Sequence, residues 1–196
     1  LTMVLSLSAC GAKEEAPAAN AEAPAAEAAG AIKLGMCGPL TGGAAVYGTA
    51  VQAGMEIAVE EINAKGGLQF ALNTQDDEHD TEKAANAYNA LKDWGMQIMA
   101  GPVTTAPSNV VAAECAADEI FMLTPSASGV SVIEYGDNIF QICFTDPNQG
   151  VASADYMAAH ELGTTIGVIY DSSDVYSSGI YEKFAAQAEA NGLNVA

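Results

Sequence analysis

The sequence predicts an α/β fold in which parallel strands alternate with helices. Short apolar runs alternate with longer amphipathic segments, and glycines end several of those segments. The connections between the two kinds of segment are short, which is typical of parallel sheets covered by helices on both faces. We therefore expect ligands to bind beyond the carboxyl ends of the strands, as they do in open parallel sheets.

The first part of the chain is expected to alternate four strands with three helices. In the first helix Val51, Met55, Ala58 and Ile62 recur at helical spacing, and the Gly66-Gly67 pair ends it. Apolar runs of strand length and glycine stops define the remaining elements. The expected order is strand 32–37, helix 48–65, strand 70–74, helix 81–94, strand 97–100, helix 108–118 and strand 120–123.

The second part of the chain begins with a strand over 139–144. A Pro- and Gly-containing stretch over 146–150 is interpreted as a linker, and the elements after it are helix 151–162, strand 165–170, helix 176–190 and a strand starting at Leu193. About fifty residues are too few for a stable second domain. We expect residues 31–146 to form one ligand-binding lobe and 147–196 to form a hinge and the truncated start of another.

The N-terminus indicates export. The apolar segment that begins at Leu1 runs into Leu7-Ser8-Ala9-Cys10, which resembles the lipobox of bacterial lipoproteins. We expect residues 1–10 to be a partial lipoprotein signal peptide with lipidation at Cys10. Residues 11–30, rich in Ala, Glu and Pro, are expected to be a disordered tether to the cell surface or periplasmic face of a membrane. The alternative is a buried strand with a free cysteine.

Composition excludes some functions. The formal net charge is -19, and all six basic residues are lysines, so binding to a nucleic-acid phosphate backbone is excluded. Cys37, Cys115 and Cys143 fit no zinc spacing, and we expect Cys37 and Cys143 to be buried. His79 lies in an acidic turn that is explained without a metal. No nucleophile–base pair or phosphate-binding P-loop is present, so we expect no enzyme activity and no cofactor.

The loops that follow the predicted strands contain residue types suited to ligand binding. They span 38–48, 101–106, 124–128 and 171–176 and are rich in hydroxyls and glycines. Hydroxyl groups near the positive N-terminus of a helix form a favourable binding site for a carboxylate. Tyr47 and Tyr176 can supply apolar walls with a polar tip.

Several of these segments resemble one known family. Gly38-Pro39-Leu40-Thr41-Gly42, Asn63-Ala64-Lys65-Gly66-Gly67, Thr124-Pro125-Ser126-Ala127-Ser128 and Asp171 through Tyr176 are similar to the periplasmic leucine/isoleucine/valine-binding proteins. The resemblance implies a type I periplasmic-binding-protein fold with two Rossmann-like lobes. It also implies a monomeric receptor that carries an amino acid to an ABC permease. A sensor ectodomain and a receptor for an amide, urea or an aromatic carboxylate remain alternatives.

The resemblance also implies roles for individual residues. Thr105 and Ser128 would bind the ligand carboxylate and ammonium, although either hydroxyl could instead cap a helix. The implied ligand-binding set is Tyr47, Thr105, Ser126, Ala127, Ser128 and Tyr176, with main-chain groups contributed by the 126–127 segment. The chain departs from the family where a disulfide is common, since those places hold His79 or its neighbours and Thr104. Gln141 stands where an arginine is frequent.

Overall fold

The computed structural model describes residues 30–196. Cys10, the predicted signal peptide and the tether up to residue 29 lie outside the described residues. The strands are β1 Ile32–Gly38, β2 Phe70–Asp76, β3 Ile98–Ala100, β4 Phe121–Thr124, β5 Ile139–Gln141, β6 Thr165–Ile166 and β7 Asn194–Val195. The helices are α1 Ala45–Ala64, α2 Thr81–Trp94, α3 Thr105–Ala117, α4 Asp146–Ala159 and α5 Val175–Ala190. A 3-10 helix, Val130–Glu134, lies between β4 and β5.

The first five strands form one parallel sheet in the order β2-β1-β3-β4-β5. The predicted α/β class with parallel sheets is therefore confirmed. The strand order reverses direction between β1 and β3, and a crevice forms at such a point outside the carboxyl ends of the strands. The segments leaving β1 and β3 lead to Tyr47 and Thr105, so the topology brings two of the predicted site residues together.

The core of this five-stranded unit lies between the sheet and the pair α2 and α3. Tyr88 and Leu91 of α2, Met99 of β3, Val111 of α3 and Met122 of β4 are fully buried there. Fully burying side chains of this size contributes about 1.5–3 kcal/mol each. This packing holds the carboxyl ends of β3 and β4, and the loops that follow them, in place.

The ends of the helices follow from local sequence. Asp80 accepts a hydrogen bond from the Lys83 backbone N–H at 2.9 Å and so caps α2 at its start. Gly95 ends α2 in the left-handed conformation with φ of 91°. Gly48 lets α1 approach the loop after β1 closely, because a Cβ there would lie 2.0 Å from the Pro39 carbonyl oxygen.

The remaining residues form a smaller, two-stranded unit. β6 and β7 pair in parallel, and α4 packs against α5. Ala154, Ile166, Phe184 and Ala188 form its separate buried cluster. No helix among residues 30–196 combines the length and apolar character needed to cross a membrane.

The structure corrects the linker interpreted at residues 146–150. This segment is the first turn of α4, with Thr145 as its N-cap and Pro147 within the first turn. Proline suits that position because its φ is preset for a helix and its missing N–H would have no partner there. The chain instead crosses between the two units over residues 142–145, which form no regular element.

Other predicted boundaries differ from the structure. α1 and α3 begin three residues earlier than predicted, at Ala45 and Thr105. The strands predicted over 139–144 and 165–170 end at Gln141 and Ile166, because they have strand partners only that far within the described residues. The earlier start of α3 matters most, since it places Thr105 in the first turn of a helix.

Candidate functional site

The structure brings all six predicted ligand residues to one cavity of about 380 Å³. The cavity lies beyond the carboxyl ends of β1, β3 and β4, and the two-stranded unit contributes its remaining wall. The six residues are Tyr47, Thr105, Ser126, Ala127, Ser128 and Tyr176. A cavity of this size suits a small organic ligand. That each of the six binds ligand stays a prediction.

Thr105 is the first residue of α3 and is only 2% exposed. Its Oγ1 accepts a hydrogen bond from the Gly129 N–H at 3.4 Å. Thr104, the N-cap of α3, makes no side-chain cap bond, so the first N–H groups of the helix are left without a side-chain acceptor. This end of α3 can therefore offer a hydroxyl proton, backbone N–H groups and the positive end of the helix to an anion.

Ser128 is 3% exposed and makes a reciprocal pair of hydrogen bonds with Asp146. Its Oγ donates to Asp146 Oδ1 at 2.6 Å, and the Asp146 N–H donates to the Ser128 carbonyl oxygen at 3.0 Å. Burial raises the pKa of Asp146, an effect that the hydrogen bond from Ser128 opposes. Neither hydroxyl caps a helix, so the capping alternative left open from the sequence is not what the structure shows.

The loop after β4 is held by hydrogen bonds from both sides. Thr124 Oγ1 donates to the Pro102 carbonyl oxygen at 2.7 Å and accepts from the Ala127 N–H at 3.1 Å. The Ala127 carbonyl oxygen accepts from Gln141 Nε2 at 2.5 Å and from Cys143 Sγ at 3.2 Å. Gln141, at the position where the resemblance leads one to expect an arginine, therefore supports the loop that carries three predicted site residues.

The three cysteines within the described residues are free, with Cys37 and Cys115 buried and Cys143 half-buried at the cavity wall. The predicted burial of Cys37 is confirmed, while Cys143 is less buried than expected because its strand ends before it. In the two loops that the resemblance would join by a disulfide, His79 Nδ1 and Thr104 Oγ1 are 2.9 Å apart and hydrogen-bonded. A polar contact thus joins the same two loops.

Asp77 precedes His79 and is fully buried. Its Oδ1 accepts from the His79 N–H at 2.9 Å, and its Oδ2 has no hydrogen-bond partner. Burial raises the pKa of Asp77 to about 6, and the bond from His79 opposes that rise. Within residues 30–196, no three His, Cys, Asp or Glu side chains are grouped to hold a metal ion.

The two predicted aromatic residues are far more exposed than the hydroxyls. Tyr47 is 60% exposed and Tyr176 is 42% exposed. Tyr176 comes from the two-stranded unit, where Asp174 caps α5 by accepting from the Ser177 N–H at 2.9 Å. Asp174 also lines the cavity, and the described lining residues include no lysine.

Sequence reasoning missed Asp146 and Gly129. Asp146 lay in the segment interpreted as a linker, where an acidic residue is unremarkable. A Cβ on Gly129 would lie 2.5 Å from Thr105 Cγ2, so only glycine fits this approach of the two loops. A tertiary contact of this kind leaves no periodic signal in a sequence.

The protein family and the relatives that match this chain are binding proteins. The family model described as periplasmic binding protein matches residues 31–196. The Leu/Ile/Val-binding protein BraC3 of Rhizobium johnstonii is 31% identical over 166 residues, which are 83% of this chain and 45% of BraC3. The chain spans less than half the length of the relatives that it matches.

Solved structures agree on the fold. The branched-chain amino acid substrate-binding protein LivJ of Streptococcus pneumoniae, in complex with isoleucine, has a TM-score of 0.77 at 26% identity, covering 84% of this chain and 47% of that one. A solute-binding protein of R. palustris in complex with benzoate has a TM-score of 0.77 at 22% identity, covering 85% and 47%. The type I periplasmic-binding-protein fold expected from the sequence is confirmed.

Proposed function

The chain belongs to the periplasmic binding protein family, and we propose that it is the substrate-binding protein of an ABC importer. In this proposal it binds a small amino acid of the branched-chain type between two lobes and delivers it to a permease. In this proposal the five-stranded unit serves as the first lobe, residues 142–145 serve as the crossing, and the two-stranded unit from α4 onward serves as the start of the second lobe.

One observation carries the proposal. The buried hydroxyls of Thr105 and Ser128 line a single cavity beyond the carboxyl ends of the strands, next to the uncapped N-terminus of α3. Thr105 and the α3 N-terminus bind the ligand carboxylate, and Ser128 binds its ammonium. Tyr47 lines the side-chain pocket, the 126–127 segment supplies main-chain groups, and Tyr176 closes from the second lobe.

The relatives support the ligand class and the absence of enzyme activity. They are solute-binding proteins, BraC3 is named for leucine, isoleucine and valine, and the LivJ structure contains isoleucine. Membership of the family implies an extracytoplasmic location. We propose that lipidation at Cys10 holds a monomeric protein at the membrane, and that no cofactor takes part.

A thermal-shift screen of the complete protein without its lipid anchor tests this function. The panel contains the amino acids, small amides, urea and aromatic carboxylates. A ligand at a hundred times its dissociation constant adds about 2.7 kcal/mol to the free energy of unfolding. We expect the aliphatic amino acids to raise the melting temperature most. A response to benzoate alone would replace the amino acid with an aromatic carboxylate, and no response to any compound would contradict the proposal.

A further inference from the structure

We propose that Asp146 is a positioning residue that fixes the Ser128 hydroxyl as a hydrogen-bond acceptor, so that the cavity selects ligands carrying an ammonium group beside a carboxylate. The inference rests on the proposed function, because it takes this cavity as the ligand site. It adds a residue outside the predicted ligand set and a physical reason for discrimination between zwitterions and simple carboxylates.

The first step is the contact between Ser128 and Asp146. The distance of 2.6 Å from Ser128 Oγ to Asp146 Oδ1 falls in the range of charge-assisted O–H···O⁻ hydrogen bonds. Both residues are 3% exposed, so water does not compete freely for the bond. The second hydrogen bond, from the Asp146 N–H to the Ser128 carbonyl oxygen, fixes the two residues in register.

The second step concerns the single proton of a serine hydroxyl. Because Ser128 donates that proton to Asp146, a ligand in the cavity meets only the lone pairs of Oγ. Those lone pairs accept a hydrogen bond from an ammonium N–H but cannot bind a carboxylate oxygen. A second carboxylate oxygen placed there would be repelled by both Ser128 Oγ and the charge of Asp146.

Thr105 has the opposite polarity. Its Oγ1 accepts from the Gly129 N–H and makes no described donor contact, so its proton remains for a ligand oxygen. Ser128 and Thr105 line the same cavity, and Gly129 directly follows Ser128. The two hydroxyls therefore present one acceptor and one donor, which matches the two charged ends of an α-amino acid.

The third step is the packing that holds the Asp146 carboxylate in place. A Cβ on Gly129 would lie 3.6 Å from Asp146 Oδ2, and one on Gly179 of α5 would lie 3.4 Å from it. The carboxylate thus fits between the loop that carries Ser128 and helix α5 of the two-stranded unit. Asp174 lines the same cavity without a described lysine to offset it, which further favours a ligand with a positive group.

The test compares two matched ligands, L-leucine and 4-methylpentanoate, which lacks only the amino group. Calorimetric dissociation constants are measured for the complete wild-type protein and for Asp146→Asn, which keeps the side-chain volume. We expect wild type to prefer leucine and Asp146→Asn to lose about fivefold or more of that preference, with 4-methylpentanoate unchanged or bound more tightly. Asp155→Asn, an exposed aspartate on the same helix that also contacts α5, is the matched control and should leave both constants unchanged.

A double-mutant cycle separates positioning from a general structural role. If Asp146 acts through Ser128, Asp146→Asn should add little to the loss of leucine affinity already caused by Ser128→Ala. Ser128→Ala alone keeps Asp146 and should weaken leucine but not 4-methylpentanoate, so it tests the inference even where Asp146→Asn lowers the melting temperature. Equal weakening of both ligands, or fully additive losses, would overturn the positioning role.

The inference and the proposed function fail in different ways. A wild-type protein that binds 4-methylpentanoate more tightly than leucine would overturn the inference and leave a carboxylate receptor standing. A wild-type protein that binds neither these ligands nor any other amino acid or carboxylate would overturn the proposed amino-acid receptor together with the inference.

Discussion

The two walls of the cavity are built differently. On the five-stranded unit, Thr105 and Ser128 are almost fully buried, and a hydrogen bond of 2.6 Å to Asp146 fixes the Ser128 hydroxyl. On the two-stranded unit, Tyr176 is 42% exposed and makes one long hydrogen bond, with Gln149 Nε2 at 3.4 Å from its hydroxyl. The first wall is organised before any ligand arrives, while the second has surface left to bury.

If the cavity binds ligand as proposed, this difference predicts a different role for each wall in binding. Fixed polar groups recognise the charged end of a ligand without a further ordering cost, which is how preorganisation raises affinity. An exposed aromatic ring gains only when ligand covers it, so its contribution comes with closure of the two units. We expect substitutions on the first wall to abolish recognition and substitutions on the second to shorten the lifetime of the complex.

The largest effect is expected from the double substitution Thr105→Ala with Ser128→Ala. In the proposed complex each hydroxyl makes a hydrogen bond to a charged ligand group, and each such bond contributes about 1.5–3 kcal/mol. Together they predict a loss of leucine affinity of roughly a thousandfold. Isothermal titration calorimetry on the complete protein measures it.

Ser131→Ala is the matched control for that pair. Ser131 also lies after β4, but its hydroxyl donates to Asn109 Oδ1 and does not line the cavity. It should leave the affinity for leucine unchanged. Leucine binding that survived the double substitution would move the ligand away from the five-stranded wall and remove the basis of the comparison.

Much of the fold could be predicted from the sequence because the patterns that mark its strands and helices are local. Apolar runs such as 32–37 and the glycine stop at Gly95 mark the alternation of strands and helices, and all five helices were anticipated. The start of α4 was wrong because Asp-Pro-Asn is typical both of turns and of a helix first turn, and only tertiary context decides between them. The lengths of β5 and β6 depend on partner strands, which no local pattern encodes.

The candidate site likewise has features that the sequence predicts and features that depend on tertiary contacts. The six predicted residues meet at one cavity because parallel strands place the loops that follow them at the same edge. Asp146 and Gly129 were missed because their importance comes from contacts with Ser128 and Thr105 in three dimensions. Only the structure shows that Ser128 Oγ donates to Asp146 while Thr105 Oγ1 accepts from the Gly129 N–H.

A smaller effect, on the free energy of unfolding, is expected from Asp77→Asn beside the first wall. The folded protein holds the pKa of Asp77 at about 6, above the usual 3.8, so it binds the proton more tightly than the unfolded chain. Stability therefore falls as the pH rises from about 4 to about 6. Asparagine keeps the acceptor for the His79 N–H and removes the charge, so we expect the variant to be more stable by roughly 2–3 kcal/mol at pH 7. Urea unfolding of the complete protein measures this.

The pH dependence provides the check on Asp77. Well below pH 3.8, the variant and wild type should have nearly equal free energies of unfolding, because Asp77 is then protonated in both folded and unfolded chains. Asp137→Asn, at an exposed position, is the control for replacing a surface carboxylate by an amide. A constant gain at every pH would assign the effect to packing and would show that the charge of Asp77 does not destabilise the folded protein.

The smallest effect is expected at the second wall, from Tyr176. Removing the ring with Tyr176→Ala should weaken leucine binding by about tenfold, the value of a moderately buried aromatic contact. Stopped-flow measurement should place most of this loss in faster dissociation, since the ring covers the ligand only after the two units approach.

Tyr176→Phe keeps the ring and should stay within about twofold of wild type, because the hydrogen bond from Gln149 to the hydroxyl is long. Tyr156→Ala removes a similarly exposed ring outside this cavity and should change nothing. If Tyr176→Ala instead slowed association with an unchanged dissociation rate, both walls would take part in first recognition, and their division of roles would be wrong.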